Sequence, residues 1–262
     1  MIKVIVNGAY GKMGRAVLKA VSDDKELELV GASDIKGGMD VGDLIGSKKT
    51  GIIVNENLQS VIDTAYPDVM VDFTKPDAVF SNACLALKNH VSPVIGTTGL
   101  SDEAKDKLNQ LALAQNTPAF IAANFAIGAV LMMMFAKEAA KYLPNVEIIE
   151  LHHDQKLDAP SGTAITTAEI ISEVRRPMKQ GHPDEKEKLP GARGAEINGI
   201  PIHSVRLPGY VAHQEVIFGG LGQTLTIRHD SIDRTSFMPG VVLACKKISG
   251  LKGLVRNLDK IM

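Results

Sequence analysis

Apolar and polar positions follow two rhythms along this chain, and the change between them falls near its middle. In the first half, short apolar runs (residues 2–6, 28–34, 69–74, 94–99 and 118–124) alternate with stretches of helical period or composition (15–21, 58–64, 78–89, 101–114 and 129–142). Runs that are apolar on both faces read as buried parallel strands, and strands alternating with helices predict a doubly wound sheet. Residues 37–57 are polar and glycine-rich, which predicts a long loop with one edge strand at 51–54. In the second half, residues 146–149 lead a strand that ends near His152, and a helix follows from 161–163 to about 174. Residues 175–195 are charged and rich in Gly and Pro, as expected of a mobile excursion with solvated charges. Residues 200–206, 210–218 and 223–229 then alternate apolar with polar around Pro208-Gly209 and Gly219-Gly220, which predicts an antiparallel meander. A helix over 237–248 and a closing stretch over 251–261 return to the first domain. The expected fold class is therefore α/β: a Rossmann-like dinucleotide-binding domain (1–125 and 240–262) and a smaller α+β substrate and assembly domain (126–239) with a mainly antiparallel sheet.

Composition narrows the function classes. The 262 residues carry 29 basic and 30 acidic side chains and no Trp. A net charge of −1 gives no general drive toward nucleic acid or an anionic membrane, so neither is an expected partner. The longest apolar run, 127–135, is too short to span a bilayer. Cys84 and Cys245 stand alone, which suits buried thiols in a reducing compartment. The opening Met-Ile-Lys-Val-Ile-Val runs straight into a strand pattern without a cationic leader, and the expected location is cytoplasmic. The Met132-Met133-Met134 stripe reads as core or subunit packing.

Two stretches carry chemistry. Asn7-Gly-Ala-Tyr-Gly-Lys-Met-Gly14 lies between the first strand and the first helix, the context that a dinucleotide fingerprint requires. Gly8, Gly11 and Gly14 depart from GxGxxG, because Ala9 stands where the first glycine would fall. Asp34 closes the second strand about twenty residues on, in register to accept ribose hydroxyls; an ordinary strand-end turn is the alternative. Lys36 can reach a 2′-phosphate or remain a solvated lysine. Ligands of such a sheet lie off the strand C-termini, at the 8–14 turn, Asp34, Phe73-Thr74, the Gly96-Thr97-Thr98 turn and Ala122-Ala123-Asn124-Phe125. Thr97 and Thr98 can equally satisfy their own turn.

The second stretch is Glu-Leu-His-His-Asp-Gln-Lys-Leu-Asp-Ala-Pro-Ser-Gly-Thr-Ala, 150–164. His152 or His153 can transfer a proton near neutral pH, and Lys156 can supply a fixed positive charge or a second proton. Ser161, Gly162 and Thr163 place backbone N–H groups at a helix start, a seat for a carboxylate or phosphate. Helix capping alone explains Ser161 or Thr163, but it does not explain two histidines and a lysine in the same loop. A zinc site is disfavoured, since adjacent histidines rarely share one ion and no Cys or HExxH partner is near.

With these motifs, the sequence resembles the dihydrodipicolinate (4-hydroxy-tetrahydrodipicolinate) reductase family through essentially its whole length. Val-Asn-Gly-Ala-Tyr-Gly-Lys-Met-Gly, Val-Asp-Phe-Thr, Gly-Thr-Thr-Gly and Ala-Asn-Phe carry the resemblance, and the 150–164 motif makes it specific. The resemblance implies NADH or NADPH as cofactor, held at Gly8, Ala9, Tyr10, Gly11, Lys12, Met13, Asp34, Gly96, Thr97, Thr98, Ala122, Ala123, Asn124 and Phe125, to which the residue reading adds Lys36 and Phe73. It implies His152 as proton donor/acceptor and Lys156 as second donor. A cyclic dicarboxylate substrate would bind at His153 and the Gly162-Thr163 pair, in a homotetramer of lysine and diaminopimelate biosynthesis. Two positions depart from the family's usual pattern: Ala126 replaces the Ser of Asn-Phe-Ser, and Ile35 replaces the Arg that often follows the acid. Two other readings remain. A dehydrogenase of an aspartate-derived aldehyde would want a catalytic Cys after a strand, whereas Cys84 falls mid-helix. A redox sensor that only binds dinucleotide would have no use for His152 beside Lys156.

Overall fold

A computed structural model describes residues 1–262, which form two compact units: Met1–Phe125 with Arg234–Met262, and Ala126–Asp233. The chain re-enters the first unit at Arg234, ahead of the position 240 expected from sequence, through a 3-10 turn at Arg234–Phe237.

The first unit begins with β1 (Ile2–Asn7), α1 (Lys12–Asp23) and β2 (Leu27–Ser33). It continues through α2 (Val41–Ile45), α3 (Leu58–Ala65), β3 (Val69–Asp72), α4 (Val79–Lys88), β4 (Ser92–Ile95), α5 (Asp102–Ala114) and β5 (Ala119–Ile121). Its six-stranded sheet is parallel, with α8 (Met238–Lys247) and β11 (Leu254–Arg256) added from the end of the chain, in the order β11-β5-β4-β3-β1-β2. Val4, Ile5 and Val6 are buried on both faces of the sheet, as their unbroken apolar run requires. The chain runs outward from β1 to β2 and then back to β3 on the other side, so the ligand crevice of such a sheet lies off the ends of β1 and β3. At that point α1 lies tight against the preceding turn: a Cβ on Gly14 would sit 2.0 Å from the Gly8 carbonyl oxygen. Gly8 itself has φ +88, a conformation that glycine adopts without strain.

The second unit comprises α6 (Ile127–Ala140), β6 (Asn145–His152), α7 (Gly162–Ser172), β7 (Ala195–Ile197), β8 (Ile200–Arg206), β9 (Ala212–Gly220) and β10 (Gln223–Ser231). Its sheet has the order β10-β9-β6-β8-β7. One face of β6 buries Val146, Ile148 and Glu150, matching the period of two. Ile148, Ile200, Ile202, Val216 and Phe218 form the core with Met132 and Ala136 of α6 and Ala164, Ala168 and Ile171 of α7.

Several expectations are corrected. The stretch 37–57 contains the short helix α2, and residues 51–54 form only an isolated bridge, Asp40 to Ile53. The Asp40 side chain caps α2 through the Gly42 N–H and also accepts from Thr50 and Gly51, which fastens the loop without a strand. The three late strands are not a meander. Strand β6 inserts between β8 and β9, pairing parallel with β8 and antiparallel with β9. An eight-residue strand with a buried face satisfies both edges this way, where a local hairpin would cover only one. The excursion 175–195 is anchored, and it leads into the unpredicted β7. Arg175 is buried, and its guanidinium donates to the carbonyls of Pro144 (2.6 Å) and Asn198 (3.2 Å) and to Gln180 Oε1 (3.1 Å). Gln180 in turn brackets the Val146 backbone, accepting from its N–H at 3.1 Å and donating to its oxygen at 2.9 Å. Helix α1 begins at Lys12, earlier than the expected 15. Strands β3, β4 and β5 end before the expected 74, 99 and 124, because the residues after them turn out of the ladder.

Candidate active site

In the first unit, the predicted cofactor positions gather at the C-terminal ends of β1 to β5. Gly8 and Ala9 donate their N–H groups to the Ser33 carbonyl at 2.9 and 3.1 Å, which stitches the glycine turn to the end of β2. Helix α1 starts at Lys12 behind Gly11 with no side-chain cap and no acid in its first turn. Its first N–H groups and the positive end of its dipole therefore suit a pyrophosphate, and Gly11 keeps the approach clear of a side chain. Asp34 accepts from Tyr10 N through Oδ2 (2.8 Å) and from Ile35 N through Oδ1 (2.7 Å), so this carboxylate shapes the turn as well as facing outward. The Tyr10 hydroxyl reaches the Gly37 carbonyl at 3.2 Å. Lys12 and Lys36 are exposed.

Beneath this surface lies Asp72, fully buried at the end of β3. Its Oδ1 accepts from Thr74 N (3.0 Å), the Thr74 hydroxyl (2.7 Å) and the Thr97 hydroxyl (3.0 Å). Its Oδ2 accepts from the amides of Asn7 (2.9 Å) and Asn82 (3.0 Å). Thr97 is thus buried and committed to this network, the turn-satisfying alternative for its side chain, while Thr98 is exposed. Phe73 lies over Gly96, where a Cβ would fall 2.1 Å from its ring, and Phe73 packs on Phe125 at a centroid distance of 5.9 Å. A cavity of about 210 Å³ is lined by Thr97, Thr98, Ala122 and Ala123 together with Arg256 and Asn257. Those last two residues escaped sequence analysis, since β11 is only three residues long and carries no motif.

In the second unit, β6 delivers His152 at its end and the loop from His153 to Pro160 returns to α7. Lys156 closes a turn with its N–H on the His153 carbonyl (3.2 Å), and its ammonium pairs with Asp158 at 2.7 Å. That ion pair holds the Asp158 carboxyl below its usual range. His153 and Gly162 are exposed. Ser161 is buried and caps α7, its hydroxyl accepting from Ala164 N at 3.2 Å. No group of three or more His, Cys, Asp or Glu side chains is arranged to hold a metal ion.

The residue that sequence reasoning left without a role is Glu150, which is fully buried. One oxygen meets His152 Nδ1 and Arg206 Nη1 (2.9 Å), and the other accepts from Arg206 Nη2 (2.7 Å) and Ser161 N (3.2 Å). Arg206 was likewise missed. Burial alone would raise the Glu150 carboxyl; hydrogen bonds from His152 and Arg206 outweigh that and hold it at about 2. A cavity of about 790 Å³ elsewhere in this unit is lined by Arg175, Arg193, Glu185 and Glu187 and contains none of the predicted site residues.

With this geometry in view, the comparisons with known proteins decide the family. The family description "Dihydrodipicolinate reductase, N-terminus" matches residues 2–125, and "Dihydrodipicolinate reductase, C-terminus" matches 128–262. The chain belongs to the dihydrodipicolinate reductase family. It is accordingly an oxidoreductase, and a dinucleotide-binding unit in a reductase family implies use of a nicotinamide dinucleotide. A 4-hydroxy-tetrahydrodipicolinate reductase from Desulfitobacterium hafniense is 55% identical over 263 residues, covering 100% of this chain and 98% of its own. Another, from Syntrophomonas wolfei, is 56% identical over 99% of this chain and 98% of its own. The solved structure of a dipicolinate-bound dihydrodipicolinate reductase from Paenisporosarcina sp. TG-14 shares 51% identity with TM-score 0.89, and the match covers all of both chains. An amine dehydrogenase from Mycobacterium smegmatis shares the fold at TM-score 0.71 and 15% identity, across all of this chain and 96% of its own. No helix is long and apolar enough to cross a membrane.

The buried carboxylate generates a pH prediction. Its folded value of about 2 lies below the ordinary 4.5, so its contribution to stability is complete above about pH 4.5 and is lost as the pH falls toward 2. The scale is on the order of 3 kcal/mol, at about 1.4 kcal/mol per pH unit. Urea unfolding followed through this acid range should show the loss. The double variant Glu150→Gln/Arg206→Met, which replaces the ion pair with uncharged groups, should flatten it. A double variant with the wild-type slope would remove Glu150 as its source.

Proposed function

We propose that this chain carries out its family's reaction, NAD(P)H-dependent reduction of 4-hydroxy-tetrahydrodipicolinate to tetrahydrodipicolinate with loss of water, in lysine biosynthesis through diaminopimelate. We also propose that His152 and Lys156 do the protein's share of the chemistry. The observation that carries this reading is the joint presence, in one clasped loop, of a half-buried imidazole, an ammonium and a helix start. The reduced nicotinamide supplies the hydride when bound. The protein's tasks are then to orient two carboxylates and to deliver a proton.

The α7 start, with Gly162 and Thr163 beside the Ser161 cap, suits one substrate carboxylate through backbone N–H groups and the helix dipole. Lys156 suits the other by charge, with His153 at the same loop. Its present partner Asp158 is mostly exposed, and such a pair is worth only about 0–1 kcal/mol, so a substrate carboxylate can replace it cheaply. His152 donates the proton that completes the reduction. In this reading the cofactor contacts are the residues at the ends of β1 to β5. The substrate is a small dicarboxylate, in keeping with the dipicolinate held by the Paenisporosarcina relative.

Assembly as a homotetramer through the second unit is part of the same reading. The sheet packs its helices on one face only. The other face carries half-buried Ile149, Leu151, Val205 and Ile217 beside the Arg193–Glu147 ion pair and the His203–Glu147 hydrogen bond. Strand β10 leaves a nine-residue edge, and closed self-association covers such edges. Light scattering at micromolar concentration should give the tetramer mass, and a monomer mass would sink this element.

Cofactor choice follows from a balance of charges. Asp34 favours ribose hydroxyls and opposes a 2′-phosphate, but two backbone N–H groups already share its charge. Lys12 and Lys36 are exposed, and each can contribute only about 0–1 kcal/mol to that phosphate. The expected outcome is use of both NADH and NADPH, with kcat/KM values within about tenfold, since about 1.4 kcal/mol corresponds to one order of magnitude. A preference beyond about a hundredfold would show that this balance misjudges the pocket.

The central test is kinetic. His152→Gln should lower kcat by about 10²–10⁴-fold, the scale for losing a general acid. Lys156→Ala should lower kcat and raise the substrate KM, because it removes charge from an anion site. Neither should much change the Kd for the cofactor, whose contacts lie in the other unit. If the loop only joins strand to helix, both variants will melt lower with near-normal turnover.

A further inference from the structure

His152 and the start of α7 belong to different elements, yet one side chain bonds to both. Glu150 sits two positions before His152 on the same buried face of β6, which lets its carboxylate reach the ring nitrogen nearest the backbone. The same carboxylate accepts from Ser161 N, the residue that caps α7. Its third partner, Arg206, grips both oxygens in a fork and passes a further hydrogen bond to the Asp158 carbonyl at 2.8 Å, within the loop that carries Lys156. Leu207 N donates to the His152 carbonyl at 3.1 Å, so β8 holds the strand end as well.

We infer that Glu150 is a positioning residue for the proton-transfer loop: it holds His152 with Nδ1 protonated and Nε2 directed to the substrate, and it fixes the Ser161 end of the anion seat against the same carboxylate. This rests on His152 being the proton-transfer group. The assignment of the tautomer follows from the network. A carboxylate paired with a guanidinium fork is ionised and can only accept, so the nitrogen facing it must donate. Ring orientation through a buried carboxylate on the far nitrogen is a general device for histidines that move protons or bind metals. The groups facing this carboxylate come from each packed element: Arg206 and Ser204 from β8, Ser161 from the cap of α7, and Gln214, opposite it in register, from β9. Gln214 is buried and gives its amide to Thr167 at 2.8 Å. Arg206 is therefore the cation that the structure sets against Glu150.

The deciding measurement needs no variant of Glu150. In the wild-type protein, ¹⁵N NMR of the histidine rings, with His152 assigned by comparison with His152→Gln, should show the neutral ring as the Nδ1–H tautomer. Free imidazole side chains in water favour the Nε2–H form, so that form at His152 would overturn the inference. The kinetic counterpart is Glu150→Gln, whose amide must present an N–H toward one of two donors. It should lower kcat by about 10²-fold and raise the substrate KM, with the cofactor Kd unchanged. Should that variant fail to fold, the tautomer alone decides. Loss of turnover in His152→Gln with normal kcat in Glu150→Gln would overturn the role of Glu150 and leave the assignment of His152 standing. Normal turnover in His152→Gln would remove both.

Discussion

A carboxylate with no exposure to water is the constraint around which the second unit is arranged. Taking an ion out of water costs several kcal/mol even after relaxation, and only close countercharge and filled lone pairs offset that. Glu150 obtains both, but its partners come from far apart. Arg206 is 56 positions away in sequence, and Ser161 lies across the loop. The parallel pairing of β6 with β8, which sets His152 opposite Arg206 and Glu150 opposite Ser204, is what makes the fork possible. A simple antiparallel meander of the last three strands would not put Arg206 there. Strand order therefore determines the electrostatics of the loop.

The first unit buries a carboxylate as well and solves the problem differently. Asp72 is surrounded by amide, hydroxyl and backbone donors, the charge being spread over many short hydrogen bonds from β1, α4 and the two turns after β3 and β4. That arrangement suits a crevice meant for an anionic cofactor. It fixes the Thr97 turn and the Asn7 strand end without placing a cation there, beside the glycine turn and the uncapped start of α1. In the second unit the buried charge faces a guanidinium, and the same carboxylate bonds the His152 ring.

Legibility from sequence followed the range of the interactions. The glycine turn, Asp34 and the Ser161 cap are local, each readable from residue types within a few positions: Gly8 takes a positive φ, Asp34 follows β2 and Ser161 caps α7. The βα alternation predicted the parallel sheet because its inner strands are apolar runs buried on both faces. Pairings between distant strands left no such trace. Nothing near Glu150 announces Arg206, so a charged residue in an alternating strand read as an ordinary polar position. The same holds for Arg175, whose burial depends on the carbonyls of Pro144 and Asn198. It holds for Arg256 and Asn257, placed by a three-residue strand. Helix α2 was hidden by the glycines in and after it and by an Asp40 cap whose other partners, Thr50 and Gly51, lie well past its end.

The Glu150–Arg206 pair also bears on what the site is selected to do. A buried ion pair is seldom more stable than well-packed apolar residues of similar volume, since desolvation consumes much of the Coulombic gain. The buried Arg206 Nε carries no partner in the fold, a further cost. A chain under pressure for stability alone would do as well with apolar side chains at 150 and 206. Apolar residues, however, could neither impose a tautomer on His152 nor hold the Ser161 N–H and the Asp158 carbonyl in one frame. The pair's return is orientation. Its position beneath a loop that carries an imidazole and an ammonium is the physical reason to read that loop as chemistry and not as a connection.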